Sequence, residues 1–176
     1  MIPTKRKDLY ILTGASGIGK STAAEILFQK EKDYIVLESD LLWDERFNEP
    51  ETNYRQYREL WLSMCSNISQ IGLPVVLCGC AIPEQFELCD ARKYINNIYY
   101  IAVVATKEVL EERMRYGRNI KDEGWIKSSV EFNEWLKANA DRTSPIMELI
   151  DSTNKTASAV SEEIEIIINR IMKMNN

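Results

Sequence analysis

The first residues that could do chemistry form a glycine-rich segment near the start of the chain. Residues 14–21 read Gly-Ala-Ser-Gly-Ile-Gly-Lys-Ser and hold three of the 7 glycines in the 176-residue sequence. Glycines let consecutive backbone N–H groups turn toward an anion, and the lysine adds a mobile positive charge for phosphate oxygens. A serine hydroxyl is a hard ligand suited to Mg²⁺. The spacing G-x-x-x-x-G-K-[ST] therefore predicts a phosphate-binding loop.

The flanking elements support this interpretation. The apolar residues 9–12 predict a strand, and residues 21–30 predict a helix whose positive N-terminus faces the anion. We expect the chain to bind a nucleoside triphosphate, with Lys20 on the phosphates and Ser21 on Mg²⁺. The predicted cofactor-binding residues are Gly14, Ala15, Ser16, Gly17, Ile18, Gly19, Lys20, Ser21 and Thr22.

Composition excludes several other chemistries. The sequence contains no histidine, which removes an imidazole base, a histidine-ligated metal and a Ser-His-Asp triad. A formal net charge of -5 argues against a nucleic-acid binder, because such proteins need a basic face. The length of 176 residues predicts a single domain spanning residues 1–176, without room for the modules of a large ATP-driven machine. No segment resembles a secretion signal or a membrane span, so we expect a cytoplasmic protein.

The four cysteines do not form a metal-binding pattern. Cys78 and Cys80 are spaced C-x-C in an apolar run, without a second pair. Zinc sites and thioredoxin-like sites use C-x-x-C spacing instead. We therefore expect free cysteines that pack as small hydrophobic side chains in a buried strand.

Short apolar runs alternate with longer amphipathic ones, which is the pattern of β-α-β units and a parallel sheet. Further strands are predicted at residues 34–37, 74–80, 98–104 and 146–150. Helices are predicted at residues 53–72, at 107–116 after a Thr106 cap, from Ser128 with a capping box to Glu131, and at 158–172. The polar residues 115–129 are typical of an inserted or mobile segment.

A carboxylate stands just past the second predicted strand. Ligands of parallel sheets collect at the carboxyl ends of the strands, where Asp40 lies. Asp40 could accept or orient the proton of a substrate hydroxyl, a role that histidine cannot fill here. The alternative is an aspartate that only caps the next helical turn or lies solvated in a turn. A GTPase is not expected, because the one N-K-x-D candidate ends in Ala157 instead of aspartate.

Three arginines lie close together after the fourth predicted strand. Arg113, Arg115 and Arg118 stand beside Gly117 in a polar stretch. They suit a lid over transferring phosphates, at residues 113–129, that excludes water and stabilises the charge of the transition state. The alternative is a solvated helix face on which Glu111 pairs with Arg115.

Residues 41–72 form the predicted acceptor-binding region. Aromatic side chains there could stack a ring, and Arg55 with Arg58 could hold a phosphate. The same aromatic residues lie on the apolar stripe of the predicted helix, so they could equally belong to the core. A hydroxyl acceptor would use Asp40 and a phosphate acceptor would use the arginines. Both sets are present, so the sequence leaves the acceptor open.

The order of these motifs resembles the small P-loop kinases, a group that includes nucleoside, nucleotide, gluconate and shikimate kinases. The resemblance rests on the phosphate loop, Asp40, the arginine segment and residues 149–153, Leu-Ile-Asp-Ser-Thr. It implies a three-layer α/β fold with a five-stranded parallel sheet in the order 2-3-1-4-5, helices on both faces and an arginine lid. It also implies ATP and Mg²⁺ as cofactors, an acceptor site between Asp40 and the following helix, and adenine beside residues 151–156.

The chain departs from the family pattern at two points. Many relatives end the third strand with an acid that supports Mg²⁺, where this chain reads Leu-Cys-Gly-Cys at residues 77–80. Metal support must then come from Ser21 and water, with Asp40 or Glu38 as candidates. The lid arginines of the family are often four residues apart, which would place one at position 117. This chain has glycine there, and Arg118 follows.

Together these residues predict an ATP- and Mg²⁺-dependent phosphotransferase that moves the γ-phosphoryl group to a small molecule. A nucleoside or nucleotide is the leading acceptor. The candidate catalytic residues are Lys20, Asp40, Arg113, Arg115 and Arg118, and the candidate acceptor-binding residues are Asp40, Arg55 and Arg58. Two alternatives stay open. One is a sugar-acid, shikimate-like or antibiotic kinase on the same scaffold, and the other is a regulatory ATPase that changes shape on binding nucleotide.

Overall fold

A five-stranded parallel sheet in the order β2-β3-β1-β4-β5 organises the chain, which confirms the predicted strand order. The computed structural model describes residues 8–30 and 33–175. The sequence expectation for the chain start falls largely on residues 1–7, which lie outside the described residues. The strands are β1 (Leu9–Gly14), β2 (Ile35–Glu38), β3 (Val75–Cys78), β4 (Ile98–Val104) and β5 (Met147–Asp151).

Helices connect these strands. They are α1 (Lys20–Lys30), α2 (Arg55–Ile68), α3 (Pro83–Glu87), α4 (Lys107–Glu112), α5 (Glu123–Asn139) and α6 (Ala157–Met174). Short 3-10 turns at Ser39–Leu42, Glu45–Phe47 and Pro50–Thr52 lead from β2 to α2, and a π-helical turn at Arg113–Gly117 follows α4. Among the described helices, none combines the length and the apolar character needed to cross a bilayer.

The strands place alternate side chains on the two faces of the sheet, and helices cover both faces. Leu12 of β1 packs on one face with Leu27 of α1 and Ile164 of α6. Ile11, the preceding residue, packs on the other face with Leu62 of α2. Parallel strands buried on both faces read as continuous apolar runs, which is why these strands were visible in the sequence.

The third strand ends two residues earlier than predicted, at Cys78. Gly79 lies so close to the Ser39 side chain that an added Cβ would overlap it. The chain leaves the sheet there, and Cys80 is exposed, while Cys78 is buried. The expectation that both cysteines pack in a buried strand is therefore confirmed for Cys78 and wrong for Cys80.

The helix predicted from Ser128 begins five residues earlier, at Glu123. Asp122 caps it, because its side chain accepts a hydrogen bond from the Trp125 backbone N–H at 3.0 Å. Ser128 lies inside the helix and donates to the Trp125 carbonyl at 3.0 Å. The capping box at Ser128 and Glu131 is therefore wrong, since Asp122 already satisfies an orphan donor of the first turn.

Other boundaries differ for local reasons. The helix predicted at residues 107–116 has its Thr106 cap, but it continues as a π turn after Glu112. The helix predicted at residues 53–72 is α-helical only from Arg55 to Ile68. Helix α3 was not predicted, because five residues are too few to show a helical period.

Candidate active site

The segment predicted as a phosphate-binding loop runs from the end of β1 to the first residue of α1. Gly14, Gly17 and Gly19 have positive φ angles of 150°, 81° and 105°. At Gly17 space is limiting as well, because an added Cβ would lie 2.6 Å from Cγ of Met114 in the π turn. Backbone conformation and close packing therefore both favour glycine at position 17.

The loop has backbone donors that the protein itself does not use. Among the described residues, the N–H groups of Gly17, Gly19, Lys20 and Ser21 donate to no protein acceptor. Unpaired N–H groups at a helix N-terminus, together with the helix dipole, form a site for an anion. The loop therefore fits the phosphates of a nucleotide.

Lys20 carries the positive charge of this loop. It is 7% exposed, and its Nζ donates to the Ala15 carbonyl at 2.9 Å. The same Nζ lies 3.7 Å from Sγ of Cys80. No carboxylate pairs with Lys20 in the part of the chain that the structure describes. A buried ammonium without an acidic partner suits an anionic ligand.

The residues around the loop fit a magnesium ion held mainly by phosphate and water. Ser21 exposes its hydroxyl on the first turn of α1. Glu38 ends β2 directly beside Cys78 of β3. Burial raises the pKa of the Cys78 thiol well above its usual value, so position 78 supplies no negative charge. Within residues 8–30 and 33–175 no three acidic or cysteine side chains cluster as a metal site. Mg²⁺ commonly takes only one or two protein oxygens besides phosphates and water.

Two of the three predicted lid arginines contact the phosphate loop. Nη1 of Arg113 donates to the Ile18 carbonyl at 3.1 Å and to the Ser152 hydroxyl at 2.9 Å. Nη1 of Arg118 donates to the Ser16 hydroxyl at 2.9 Å. The two guanidinium groups thus contact the residues directly before and after Gly17 in the chain, and Met114 packs against Gly17 itself.

The π turn explains why the second arginine that contacts the loop is five residues after Arg113, at position 118, and not four residues after it. The Arg118 N–H donates to the Arg113 carbonyl at 3.0 Å, which is an i→i+5 bond. One turn of this segment therefore takes one residue more than an α-helical turn. The arginine that the family pattern would place at position 117 stands one residue later on the same face.

Arg115 is not brought to the loop. Both of its terminal nitrogens bond the carboxylate of Glu123, with 2.7 Å between Nη2 and Oε2. The pair borders a separate shallow pocket together with Lys107 and Glu111. The sequence left open whether Arg115 is catalytic or lies on a solvated face. The structure favours the solvated face, with Glu123 instead of Glu111 as the partner.

Asp40 opens onto a cavity of about 980 Å³ beside the phosphate loop. It lies in the 3-10 turn after β2, and the Tyr57 hydroxyl fixes this turn by donating to the Ser39 carbonyl. No described residue gives the Asp40 carboxylate a hydrogen bond or an ion pair. The capping alternative is therefore not supported, whereas Asp40 is exposed, as the solvated alternative expects. Ser16 of the loop lines the same cavity, so the carboxylate and the loop share one space.

Aromatic side chains dominate the walls of this cavity. Six of them line it: Trp43, Tyr54, Tyr57, Trp125, Phe132 and Trp135. Trp43 meets Tyr57 edge-on with 5.3 Å between ring centroids. Tyr57 lines the cavity and also belongs to the hydrophobic core. The sequence left open whether this residue serves binding or packing, and it contributes to both surfaces. Stacked and edge-on rings of this kind provide surfaces for a planar ligand.

One face of α5 forms a wall that sequence reasoning missed. It presents residues at helical spacing, namely Trp125, Ser128, Ser129, Phe132 and Trp135. The sequence predicted a helix from Ser128 but no binding residue on it, and Trp125 lies before that predicted start. The pattern i, i+3, i+4, i+7 was visible in the sequence, but a core face has the same pattern.

Arg58 lines the cavity as a buried cation. It is 6% exposed, and its Nη2 donates to the Cys80 carbonyl at 2.7 Å and to Gln85 Oε1 at 3.2 Å. The rings of Tyr57 and Phe86 each lie 5.3 Å from its Cζ. Burial lowers the pKa of Arg58, because the charged form loses hydration, yet a guanidinium remains protonated. As far as the structure describes the chain, no carboxylate neutralises it.

Arg55 lies outside this cavity. Its guanidinium pairs with Glu59 at 3.8 Å and with Asp90 at 3.4 Å, and it is half exposed. The clamp of Arg55 with Arg58 is therefore not formed. The two arginines are three residues apart on α2, but the acidic partners of Arg55 draw it to the outside.

A second, smaller pocket of about 210 Å³ lies behind the phosphate loop. Its lining includes Gly19, Thr22, Arg113 and Lys155, the last from the loop between β5 and α6. Lys155 pairs with Glu163 at 2.7 Å. This pocket is the candidate site for the nucleotide base.

Comparisons with known proteins show similarity at the level of the fold. No family sequence model and no curated protein sequence matches the chain. A gluconokinase from Sinorhizobium meliloti 1021 is similar in structure, with a TM-score of 0.65, 18% identity, and coverage of 93% of each chain. The Deinococcus radiodurans tunicamycin resistance protein has a TM-score of 0.68 at 15% identity, covering 93% of this chain and 96% of its own. A shikimate kinase from Acinetobacter baumannii in complex with shikimate has a TM-score of 0.60 at 15% identity, with 95% of both chains covered.

These likenesses extend over nearly the whole chain. The chain therefore has the fold of the small P-loop kinases.

Proposed function

We propose that this chain is an ATP- and Mg²⁺-dependent phosphotransferase that transfers the γ-phosphoryl group to a hydroxyl of a nucleoside-class acceptor. One observation carries the proposal. The unpaired carboxylate of Asp40 opens onto a cavity that Ser16 of the phosphate loop also lines. An acceptor hydroxyl in this cavity and a phosphate on the loop would therefore meet in one place.

Each part of the site has a role in this reaction. The free N–H groups of the loop and the Lys20 ammonium bind the phosphates. Bound Mg²⁺ would supply charge neutralisation at the phosphates, with the Ser21 hydroxyl as its protein ligand and Glu38 as further support. Asp40 orients the acceptor hydroxyl and accepts its proton on a carboxylate oxygen.

Arg113 and Arg118 supply donors for the charge that develops on the transferring group. Both contact the phosphate loop and neither pairs with a carboxylate among the described residues. Their N–H groups stabilise the negative charge on the equatorial oxygens in the transition state, and the segment that carries them excludes water. Phosphoryl transfer depends mainly on positioning and charge, so the reaction does not require histidine.

The side chains of the cavity support the proposed acceptor class. A phosphate acceptor would need a cluster of arginines, but Arg55 pairs with Glu59 and Asp90 outside the cavity. A hydroxyl acceptor needs the free carboxylate that Asp40 offers. The aromatic walls suit a planar base. Gln85 also lines the cavity; its amide oxygen accepts from Arg58 and Ile82, so its amide nitrogen is the group that can donate to a ligand.

A sugar-acid, shikimate-like or antibiotic kinase is the second candidate, and two observations favour it. Arg58 is a buried cation that would bind a carboxylate. The cavity of about 980 Å³ also approaches the upper end for drug-sized ligands, so it would admit an acceptor larger than a nucleoside.

A thermal-shift screen tests these proposals. The protein is heated with Mg²⁺ and a non-hydrolysable ATP analogue, alone and with nucleosides, nucleotides, sugar acids or antibiotics. A ligand that binds the folded state raises the melting temperature, so nucleosides should give the largest further shift. A larger shift with sugar acids or antibiotics would establish the second candidate. A shift with the nucleotide but with no acceptor would instead match a regulatory ATPase, and no nucleotide shift would refute all three.

A further inference from the structure

Trp125 belongs to two parts of the site at once. It lines the acceptor cavity from the first turn of α5, and it is 44% exposed. The guanidinium carbon of Arg118 lies 5.5 Å from the centroid of its ring. The same guanidinium donates to the Ser16 hydroxyl of the phosphate loop at 2.9 Å. The indole of Trp125 therefore forms part of the cavity wall and also contacts an arginine that binds the phosphate loop.

Little else fixes the side chain of Arg118. No carboxylate pairs with it in residues 8–30 and 33–175, in contrast to Arg115, which Glu123 holds by two bonds. A guanidinium is attracted to the face of an indole, and tryptophan is the strongest partner for this contact. Arg118 is exposed, so without the indole it would sample many orientations in water.

The residue that carries this indole is anchored through its backbone. Its backbone N–H donates to the Asp122 carboxylate at 3.0 Å, which starts helix α5 at this point. Its carbonyl accepts from the Ser128 hydroxyl at 3.0 Å. The anchor of Arg118 therefore belongs to a helix of 17 residues and not to a loop.

We propose that Trp125 is the positioning residue for Arg118. Its ring holds the guanidinium against the phosphate loop, so the lid arginine is positioned from the wall of the acceptor cavity. This inference rests on the proposed function, in which Arg118 stabilises the transferring phosphoryl group. Trp125 itself acts through Arg118 and touches no phosphate-loop residue by a hydrogen bond within the described chain.

The test measures hydrolysis of Mg-ATP without any acceptor, so that the contribution of Trp125 to acceptor binding does not enter. Trp125→Leu, Arg118→Ala and the double variant are compared with the unchanged protein. We expect Trp125→Leu to lower the hydrolysis rate about 10-fold, the size of a well-placed contact between a cation and a ring. In the Arg118→Ala background the same change should alter the rate less than about 2-fold, because contacts that act through one group are not additive. Additive losses would overturn the inference.

Two further variants separate positioning from general damage. Trp125→Phe keeps a ring face and should retain most of the rate, within about 3-fold of the unchanged protein. Tyr116→Ala is the matched control, because Tyr116 is 82% exposed on the lid and lines neither cavity nor loop. A loss in Tyr116→Ala as large as that in Trp125→Leu would assign the effect to lid damage and overturn the inference.

A ligand-free measurement distinguishes failure of this inference from failure of the proposed function. In a nitrogen-15 NMR spectrum the ring of Trp125 should shift the Nε–H resonance of Arg118 upfield, and Trp125→Leu should remove that shift. If the protein does not hydrolyse ATP but the shift is present, the proposed function fails while the contact stands. An absent shift would overturn the inference whatever the hydrolysis rate.

Discussion

Arg113 and Arg118 lie one π-helical turn apart and contact the phosphate loop at Ile18 and Ser16. The i→i+5 bond between their backbones puts both side chains on one face. Arg115 lies between them in sequence but on another face, where Glu123 binds it. The wider turn therefore selects which arginines of this polar segment can reach a nucleotide, and π turns inside helices are frequent at functional sites.

Removal of Arg118 should impair catalysis, whereas removal of Arg115 should not. We expect Arg118→Ala to lower turnover on the order of 10²-fold, the usual cost of losing one donor to the transition state. Arg115→Ala loses only an exposed ion pair, so it should change turnover less than about 3-fold and leave the urea denaturation midpoint nearly unchanged. Steady-state kinetics and urea denaturation measure both. Equal losses in the two variants would contradict the assignment of the arginines.

Lys20 should be essential for transfer. Lys20→Ala removes the buried ammonium beside the loop N–H groups and should raise the barrier by about 3 kcal/mol, by analogy with other preorganised donors. Single-turnover measurements with saturating Mg-ATP report the chemical step directly. Full activity in this variant would show that the loop is not part of the catalytic site.

Asp40 should matter for the acceptor and not for the nucleotide. Asp40→Asn keeps the shape of the side chain but cannot take a proton, so transfer to a hydroxyl should fall on the order of 10²- to 10⁴-fold. Affinity for a Mg²⁺-bound ATP analogue should stay within about 2-fold, because the loop is unchanged. Glu51→Gln is the matched control, since Glu51 is exposed and does not line the cavity. Unchanged turnover in Asp40→Asn would mean that Asp40 is only a solvated surface carboxylate.

Arg58 should report on anionic acceptors. Arg58→Met removes a buried charge along with its bonds to the Cys80 carbonyl and Gln85, and these effects oppose each other. We expect the free energy of unfolding to change by less than about 1.5 kcal/mol. The affinity for an acceptor with a carboxylate or phosphate should fall about 10- to 100-fold, while that of its neutral analogue should not. Calorimetric titration of a nucleoside and its monophosphate tests this difference, and equal losses for both would contradict it.

Gly17 should be required by packing as well as by conformation. Gly17→Ala would place a methyl group 2.6 Å from Cγ of Met114 at a φ of 81°, so either the loop or the π turn must shift. We expect a loss of stability on the order of 1–3 kcal/mol in urea denaturation. Gly117→Ala is the control, because an added Cβ there meets nothing within 4 Å. Similar stability of the two variants would mean that the lid does not pack on the loop in solution.

Much of the scaffold could be predicted from local patterns. The strands β1 and β3 are buried on both faces and β4 nearly so, so their continuous apolar runs stand out, and β4 was predicted at its observed bounds of Ile98–Val104. Thr106 was recognisable as a cap, because capping depends on residues three apart. The capping box at Ser128 failed, because an equally local signal at Asp122 acts first. The sequence also missed the exposure of Cys80 and the close approach of Ser39 to Gly79, a contact between residues far apart in sequence.

The phosphate loop is determined locally: eight consecutive residues supply the glycines, the lysine and the serine, so the sequence was sufficient to identify it. The side chains that surround the loop are brought to it by tertiary contacts, which a local sequence pattern does not reveal. The sequence could not decide which arginine reaches the loop, because hydrogen bonding within the π turn sets their faces. The sequence could not show that Arg58 lines the cavity while Arg55 does not. That difference arises because Arg55 pairs with the surface residues Glu59 and Asp90. Nor could the sequence identify Trp125, since a helical stripe of large side chains has the same spacing whether it faces a core or a cavity.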